Sequence, residues 1–216
     1  MEQPLIYTIG HSTHSIENFI KLLKSRGITA IADVRSAPYS RFQPQFNRER
    51  LTKSLKDSDI EYVFVGDSIG GRSSNEGDYE NGRVVYSRIK NSDNFENGLQ
   101  RVIVGSEKYQ LALMCSEKEP IECHRTLLVG QTLFERGIPV THILGDGSLE
   151  KHDDAVKRLL KIFKLDEPDL FRTNEEVISE ALLRQEQKVA FTLGDRVKGR
   201  LDSGQLGESE DWTESI

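Results

Sequence analysis

Cysteine is scarce in this 216-residue chain, which contains only Cys115 and Cys123. Two thiols cannot build a disulfide framework, so disulfide-stapled secreted classes drop out and free thiols in a reducing compartment are expected. Long apolar runs are also missing. No stretch approaches the roughly 18 to 20 consecutive apolar residues that a membrane helix needs. The start, Met1-Glu2-Gln3-Pro4, has neither the basic flank nor the apolar core of a signal peptide. The expectation is a cytoplasmic protein with no membrane partner. There is no excess of positive charge: the net charge is −6, so a uniformly basic nucleic-acid footprint is absent. The P-loop, G-x-G-x-x-G and H-E-x-x-H signatures are missing too.

The chain does have enough apolar material for a core, with 36% hydrophobic and 30% charged residues. Its acidity is uneven. From Leu165 onward there are 13 acidic and 6 basic side chains, which leaves residues 1–164 at about +1. Local basic groups such as Arg35, Arg41, Arg48 and Arg50 can therefore still hold an anion.

Short apolar runs alternate with amphipathic stretches, the pattern of a parallel sheet covered by helices. Strands are expected at Leu5–Ile9, Ile28–Val34, Glu61–Val65, Tyr109–Cys115 and Val140–Leu144. Helices are expected after the cap candidates Thr13 and Ser15 as far as Gly27, then over Arg48–Lys56, Phe95–Val104, Ile121–Arg136 and Glu150–Phe163. The result is a three-layer α/β domain over residues 1–164 with a mostly parallel five-stranded sheet. A C-terminal helix and an acidic tail are expected over 165–216. Thr173 and Glu176 form a capping-box signature for that helix, and Gly199–Ile216, which includes Trp212, reads as mobile. The polar, Gly-rich stretch Gly66–Gly82 reads as a flexible lid or rim, with Arg72 and Tyr79 as candidate closing residues.

In an open parallel sheet the residues that follow each strand gather along one edge, where such folds build their sites. Here those residues are Gly10-His11-Ser12, then Asp33 and Arg35, Gly66-Asp67, Cys115-Ser116-Glu117 and Gly145-Asp146-Gly147. Each group also has a plainer structural reading. Gly10-His11-Ser12 is either a tight turn in which Ser12 caps, or an anion cradle with free amides and a proton-transferring His11. Asp33 and Arg35 are either an ion pair or, with Arg41 on a loop held by Pro38 and Pro44, a grip on phosphate or carboxylate. Tyr39, Phe42 and Phe46 in that loop either pack or stack on a base.

The densest segment is Cys115-Ser116-Glu117 through Cys123-His124-Arg125. Cys123 is expected in the opening turn of a helix, where the dipole and neighbouring cations favour a nucleophilic thiolate; the alternative is simple packing. Cys115 is expected in the core. A metal held by Cys115, Cys123, His124 and perhaps His11 ranks below both readings, because the seven-residue gap matches no standard zinc spacing. No metal or other cofactor is assigned. His14 and His152 are expected on the surface, and His142 near the sheet.

The segments Tyr7-Thr8-Ile9-Gly10-His11-Ser12, Asp33-Val34-Arg35 to Pro38 with Ser40 and Phe42, Leu113-Met114-Cys115 with Glu117, and Cys123-His124-Arg125 resemble the prokaryotic family of domain of unknown function 488 over roughly residues 5–145. The resemblance implies a cytoplasmic α/β protein and supplies no chemistry. Position by position it nominates Gly10, His11, Ser12, Asp33, Arg35, Glu117, Cys123, His124 and Arg125 as a pocket.

The expected function is a hydrolase or transferase acting on a nucleotide, a nucleic-acid end or another phosphorylated molecule. Arg35, Arg41 and Arg125, with Gly10, Ser12 and Asp33, would hold the anion. His11, His124 or Glu117 would do acid–base work, with Cys123 as the nucleophile if the reaction is covalent. Two other readings stand beside it. One is a non-catalytic module that binds nucleic acid or a partner. The other has Asp33, Arg35, Glu117 and Arg125 merely satisfying one another at the rim.

Overall fold

A computed structural model describes residues 4–167 and 170–194. The tail from Gly199, with Trp212, lies outside the described residues, as does the start of the chain. The elements follow in chain order as β1 (Ile6–Gly10), α1 (Ile16–Ser25), β2 (Ala30–Asp33), α2 (Arg48–Lys56), β3 (Glu61–Phe64) and α3 (Gly66–Ile69). Next come β4 (Tyr79–Glu80), β5 (Arg83–Val84), α4 (Tyr86–Lys90), α5 (Asp93–Ser106) and β6 (Leu111–Cys115). The last elements are α6 (Gln131–Glu135), β7 (Val140–Ile143), β8 (Leu149–Lys151), α7 (His152–Phe163) and α8 (Asn174–Val189).

The sheet runs β3-β2-β6-β1-β7-β8. The first five strands are parallel, and β8 pairs antiparallel with β7. The expected α/β sheet therefore has a sixth, edge strand. Leu149–Lys151 is too short and too polar to announce itself, and it takes residues that the helical pattern had assigned to α7. The side chains of the central strands alternate between two cores. Leu111, Leu113 and Cys115 pack with the cluster under α5, α7 and α8, whereas Ala112 and Met114 pack with Phe19, Leu23, Leu51 and Leu55 of α1 and α2. These are the expected three layers.

Local chemistry accounts for the helix ends. Ser15, not Thr13, caps α1 by accepting from the Asn18 amide at 3.2 Å. Gly27 takes the left-handed turn (φ 65°) that stops the same helix. The capping box of Thr173 and Glu176 forms at α8. That helix lies on the body: Gln185 donates to the Ile121 carbonyl at 3.0 Å, and Glu186 accepts from the Tyr86 amide at 2.8 Å.

Two expectations change. Gly66–Gly82, read as a flexible lid or rim, is not a bare loop. It holds α3, a short 3-10 turn at Glu76–Asp78 and the strand β4, tied down by Asp78, which accepts from Ser73. Ile121–Arg136 is not one helix either. A 3-10 turn at Pro120–Glu122 ends on an extended Cys123 (φ -139°, ψ 141°). A π-helical stretch over Arg125–Gly130 then runs into α6. Apolar residues recur at similar intervals in all three helix types, so periodicity could not separate them.

His142 and His152 are both buried, which corrects the surface expectation for His152. A single chain of hydrogen bonds assigns their protons. His152 Nε2 lies 2.9 Å from the Gln131 Oε1 acceptor, so it donates. His142 Nε2 then donates to His152 Nδ1 at 3.3 Å, and Thr8 Oγ1 donates to His142 Nδ1 at 2.8 Å. Both rings are neutral. Burial pushes the pKa of His152 down to about 4 and that of His142 well below the usual histidine range.

Candidate functional site

The parallel register brings three strand ends level. Gly10 pairs with Cys115, and Asp33 pairs with Met114 on the other flank of β6. Beyond that edge lies a cavity of about 560 Å³. Arg35, Cys115, Glu117, Cys123 and His124 line it, together with Tyr39, Arg72, Tyr86, Glu122 and Phe191. Side chains far apart in the chain therefore do meet at one mouth.

His124 organises the floor. Its Nε2 faces the Val34 carbonyl oxygen at 2.8 Å. A carbonyl only accepts, so Nε2 carries the hydrogen. Nδ1 then points at both sulfurs, 3.7 Å from Cys115 Sγ and 3.8 Å from Cys123 Sγ. The ring rests on Gly71, where an added Cβ would come within 2.8 Å of His124 Cγ. The Arg125 backbone amide donates to Cys123 Sγ at 3.4 Å. Cys123 therefore precedes the helix in extended backbone instead of lying within its first turn. Burial opposes its ionisation, but the Cys115 thiol, the Arg125 guanidinium and His124 outweigh burial and hold the Cys123 pKa well below the usual thiol range. Cys115, which donates toward Cys123 and is buried, is pushed up. His124 is raised: burial opposes its charged form, but the neighbouring Cys123 favours it more strongly. Glu117 is raised by partial desolvation in the cavity and by Cys123.

Arg35 is held from behind. Its Nε and backbone amide donate to Asp33 Oδ1 (2.9 and 3.1 Å), and its terminal nitrogens reach Asp33 Oδ2 (2.6 Å), the Phe46 carbonyl (2.9 Å) and His11 Nε2 (3.3 Å). Asp33 is wholly buried and Arg35 is 4% exposed, so this is a buried ion pair at the cavity wall and not a surface one. His11 stacks on Phe46 with ring centres 4.2 Å apart and donates from Nδ1 to the Ser12 carbonyl at 3.0 Å. Burial and the Arg35 charge push its pKa down to about 4, so it is neutral at ordinary pH.

The other nominated residues lie behind or beside the cavity. The His11 and Ser12 amides, expected to be free for an anion, donate to the Cys115 and Ser116 carbonyls (2.9 and 3.0 Å) and extend the sheet ladder. Gly10 is needed for close approach, but of the chain itself: a Cβ there would overlap the Glu117 carbonyl oxygen. Arg125 is fully buried and donates to the Glu117 and Lys118 carbonyls at 2.7 and 3.2 Å, which shapes the loop after β6. Arg41 is exposed and covers the Phe42 ring, outside the cavity lining.

The cavity also draws on residues that lay outside the nominated set. Arg72 is exposed, stands over the Phe191 ring at 4.5 Å and makes no ion pair among the described residues. Val189 ends α8 and Phe191 follows it two residues on, secured where the Val84 amide donates to the Phe191 carbonyl at 3.0 Å. A basic residue in a Gly-rich stretch was visible as a signal for Arg72. Nothing in the sequence pointed to Phe191.

A family model described as Domain of unknown function DUF488 matches residues 15–131. No curated protein and no solved structure matches the chain. Every lining residue except Val189 and Phe191 falls inside the matched stretch.

Proposed function

This chain belongs to the DUF488 family, and we propose that it is a hydrolase or transferase that takes an anionic, phosphate-bearing substrate into the cavity at the carboxyl edge of its sheet. One observation carries this reading: Arg72, a cation without an ion-pair partner among the described residues, faces the same cavity as Glu117, Cys123 and His124. Arg72 and the fixed Arg35 hold the anion. Glu117, which lines the cavity, moves a proton to or from the substrate. The reacting centre is the sulfur and imidazole cluster on the floor. The volume suits a nucleotide or sugar phosphate. The body through residue 164 carries the chemistry, and the segment from 165 supplies one wall. Both cysteines are free, which fits a reducing cytoplasm.

The test is thermal denaturation against a panel of nucleotides and sugar phosphates. A true ligand at 100 times its Kd adds about 2.7 kcal/mol to stability. Arg72→Ala removes that gain while leaving the unliganded Tm nearly unchanged, and Glu117→Gln keeps binding but loses turnover. A panel in which no member shifts the Tm refutes the substrate class.

A second reading has one observation in its favour. Tyr39, which lines the cavity, and Phe42, whose ring Arg41 covers, are 71% and 77% exposed on one loop. Such an arrangement can stack on unpaired bases. Salt-sensitive binding of single strands without turnover supports that module and excludes the enzyme.

A further inference from the structure

Cys115, Cys123 and His124 each offer one donor atom, and the three atoms lie within 4.8 Å of one another. Among the described residues no other group of histidine, cysteine or acidic side chains converges in this way. The sulfur-to-nitrogen spacing matches a real coordination sphere, and the two sulfurs lie within 4.8 Å of each other. With Zn–S bonds of about 2.3 Å and a Zn–N bond of about 2.0 Å, a tetrahedral centre puts sulfur and nitrogen about 3.6 Å apart. The two observed separations are 3.7 and 3.8 Å.

The surroundings resemble those of a ligand set. Metal-binding histidines usually donate their second ring N–H to a fixed acceptor, which sets the tautomer and aims the other nitrogen at the ion. His124 does this with the Val34 carbonyl, and Gly71, by lacking a side chain, makes room for the ring in this position. The Arg125 amide gives Cys123 Sγ the N–H donor that a bound thiolate favours. Two sulfurs and an imidazole select a borderline-soft divalent ion over magnesium or calcium. All three ligands also line the cavity, so a fourth position faces it.

We infer that Cys115, Cys123 and His124 bind a single divalent ion of the zinc class, three-ligated by the protein and open to the cavity at its fourth site. Each thiol gives up its proton to solvent as its sulfur binds, and no redox step is involved. The inference deepens the reading above and rests on it for its purpose, because it supplies the centre at which a phosphate-bearing substrate would meet a Lewis acid or a bound water.

The experiment is a Co²⁺ titration of the full chain, reduced and handled without oxygen. One equivalent should bind. It should give a sulfur-to-cobalt charge-transfer band whose intensity counts two thiolates and visible bands of four-coordinate strength, and Zn²⁺ should bleach both. Cys115→Ser and Cys123→Ser should each halve the charge-transfer band and weaken binding by more than the roughly hundredfold that outer partners are worth. His14→Gln, at a half-exposed histidine outside the cavity, should change nothing. If a serine variant fails to fold, the wild-type band still counts the sulfurs. The inference is overturned by a missing charge-transfer band, by binding that disappears with His14, or by full binding in both folded serine variants. The titration contains no phosphate, so a silent ligand panel and a silent cobalt titration are separate failures.

Discussion

Asp33→Asn is expected to cost about 3 to 5 kcal/mol, the penalty for breaking a buried ion pair from one side. Both Asp33 oxygens are fully used. Oδ1 accepts from the Arg35 amide and Nε, and Oδ2 accepts from Arg35 and from the Tyr62 hydroxyl at 2.8 Å. An asparagine keeps one acceptor and turns an amide toward the donors that used the other. The Arg35 guanidinium, 4% exposed, is then left without its counter-charge. In a domain of this size the loss is roughly 10 °C in Tm. Urea unfolding followed by far-UV circular dichroism reads it as a lower midpoint at unchanged slope. Replacing both partners, Asp33→Asn with Arg35→Met, should recover much of the loss, because no uncompensated charge remains. A single-variant cost below about 1 kcal/mol, the value of an exposed pair, would refute the argument that this pair is structural.

Acid sensitivity follows from the buried histidines. His11 and His152 have folded pKa values of about 4 against an ordinary 6.5, so the unfolded chain binds more protons between those limits. Stability is intact above about pH 6.5 and should fall by about 3 kcal/mol per histidine as pH drops toward about 4; urea midpoints that stay flat across this window would count against it. Gly10→Ala places a methyl group onto the Glu117 carbonyl and should lower the Tm by more than Gly27→Ala, which meets open space but a positive φ. Arg72→Ala should leave the stability within about 0.5 kcal/mol of wild type, since its side chain is exposed, while abolishing any phosphate-dependent shift.

Much of the fold is legible because burial writes itself into composition. Ile6–Gly10, Ala30–Asp33 and Leu111–Cys115 are covered on both faces, so their runs are apolar and the polar residues begin where the strands stop. Leu149–Lys151 is a short edge, largely facing water, and leaves no such trace. The candidate site was legible as geography but not as roles. Parallel strand ends pointed to Arg35 and Glu117, and the dense segment after β6 to Cys123 and His124, yet charge alone could not separate an arginine that binds a carboxylate or two carbonyls from one that faces a cavity. Arg125 and Arg72 exchanged places on that ground. Residue spacing could not show that the two sulfurs and the imidazole converge, because it measures distance along the chain. Here a strand end and the far end of a loop are closed onto each other by the sheet, not by a knuckle of fixed length.

The placement of Phe191 divides the molecule's labour. The groups fit for chemistry sit in the stretch that the family model recognises, whereas one panel of their enclosure arrives from beyond it, latched onto β5. Such an arrangement lets the panel be exchanged without disturbing the sulfur and imidazole groups beneath. On the proposed function, grafting a different terminal helix onto the same body would be a direct route to retuning which molecules the cavity admits.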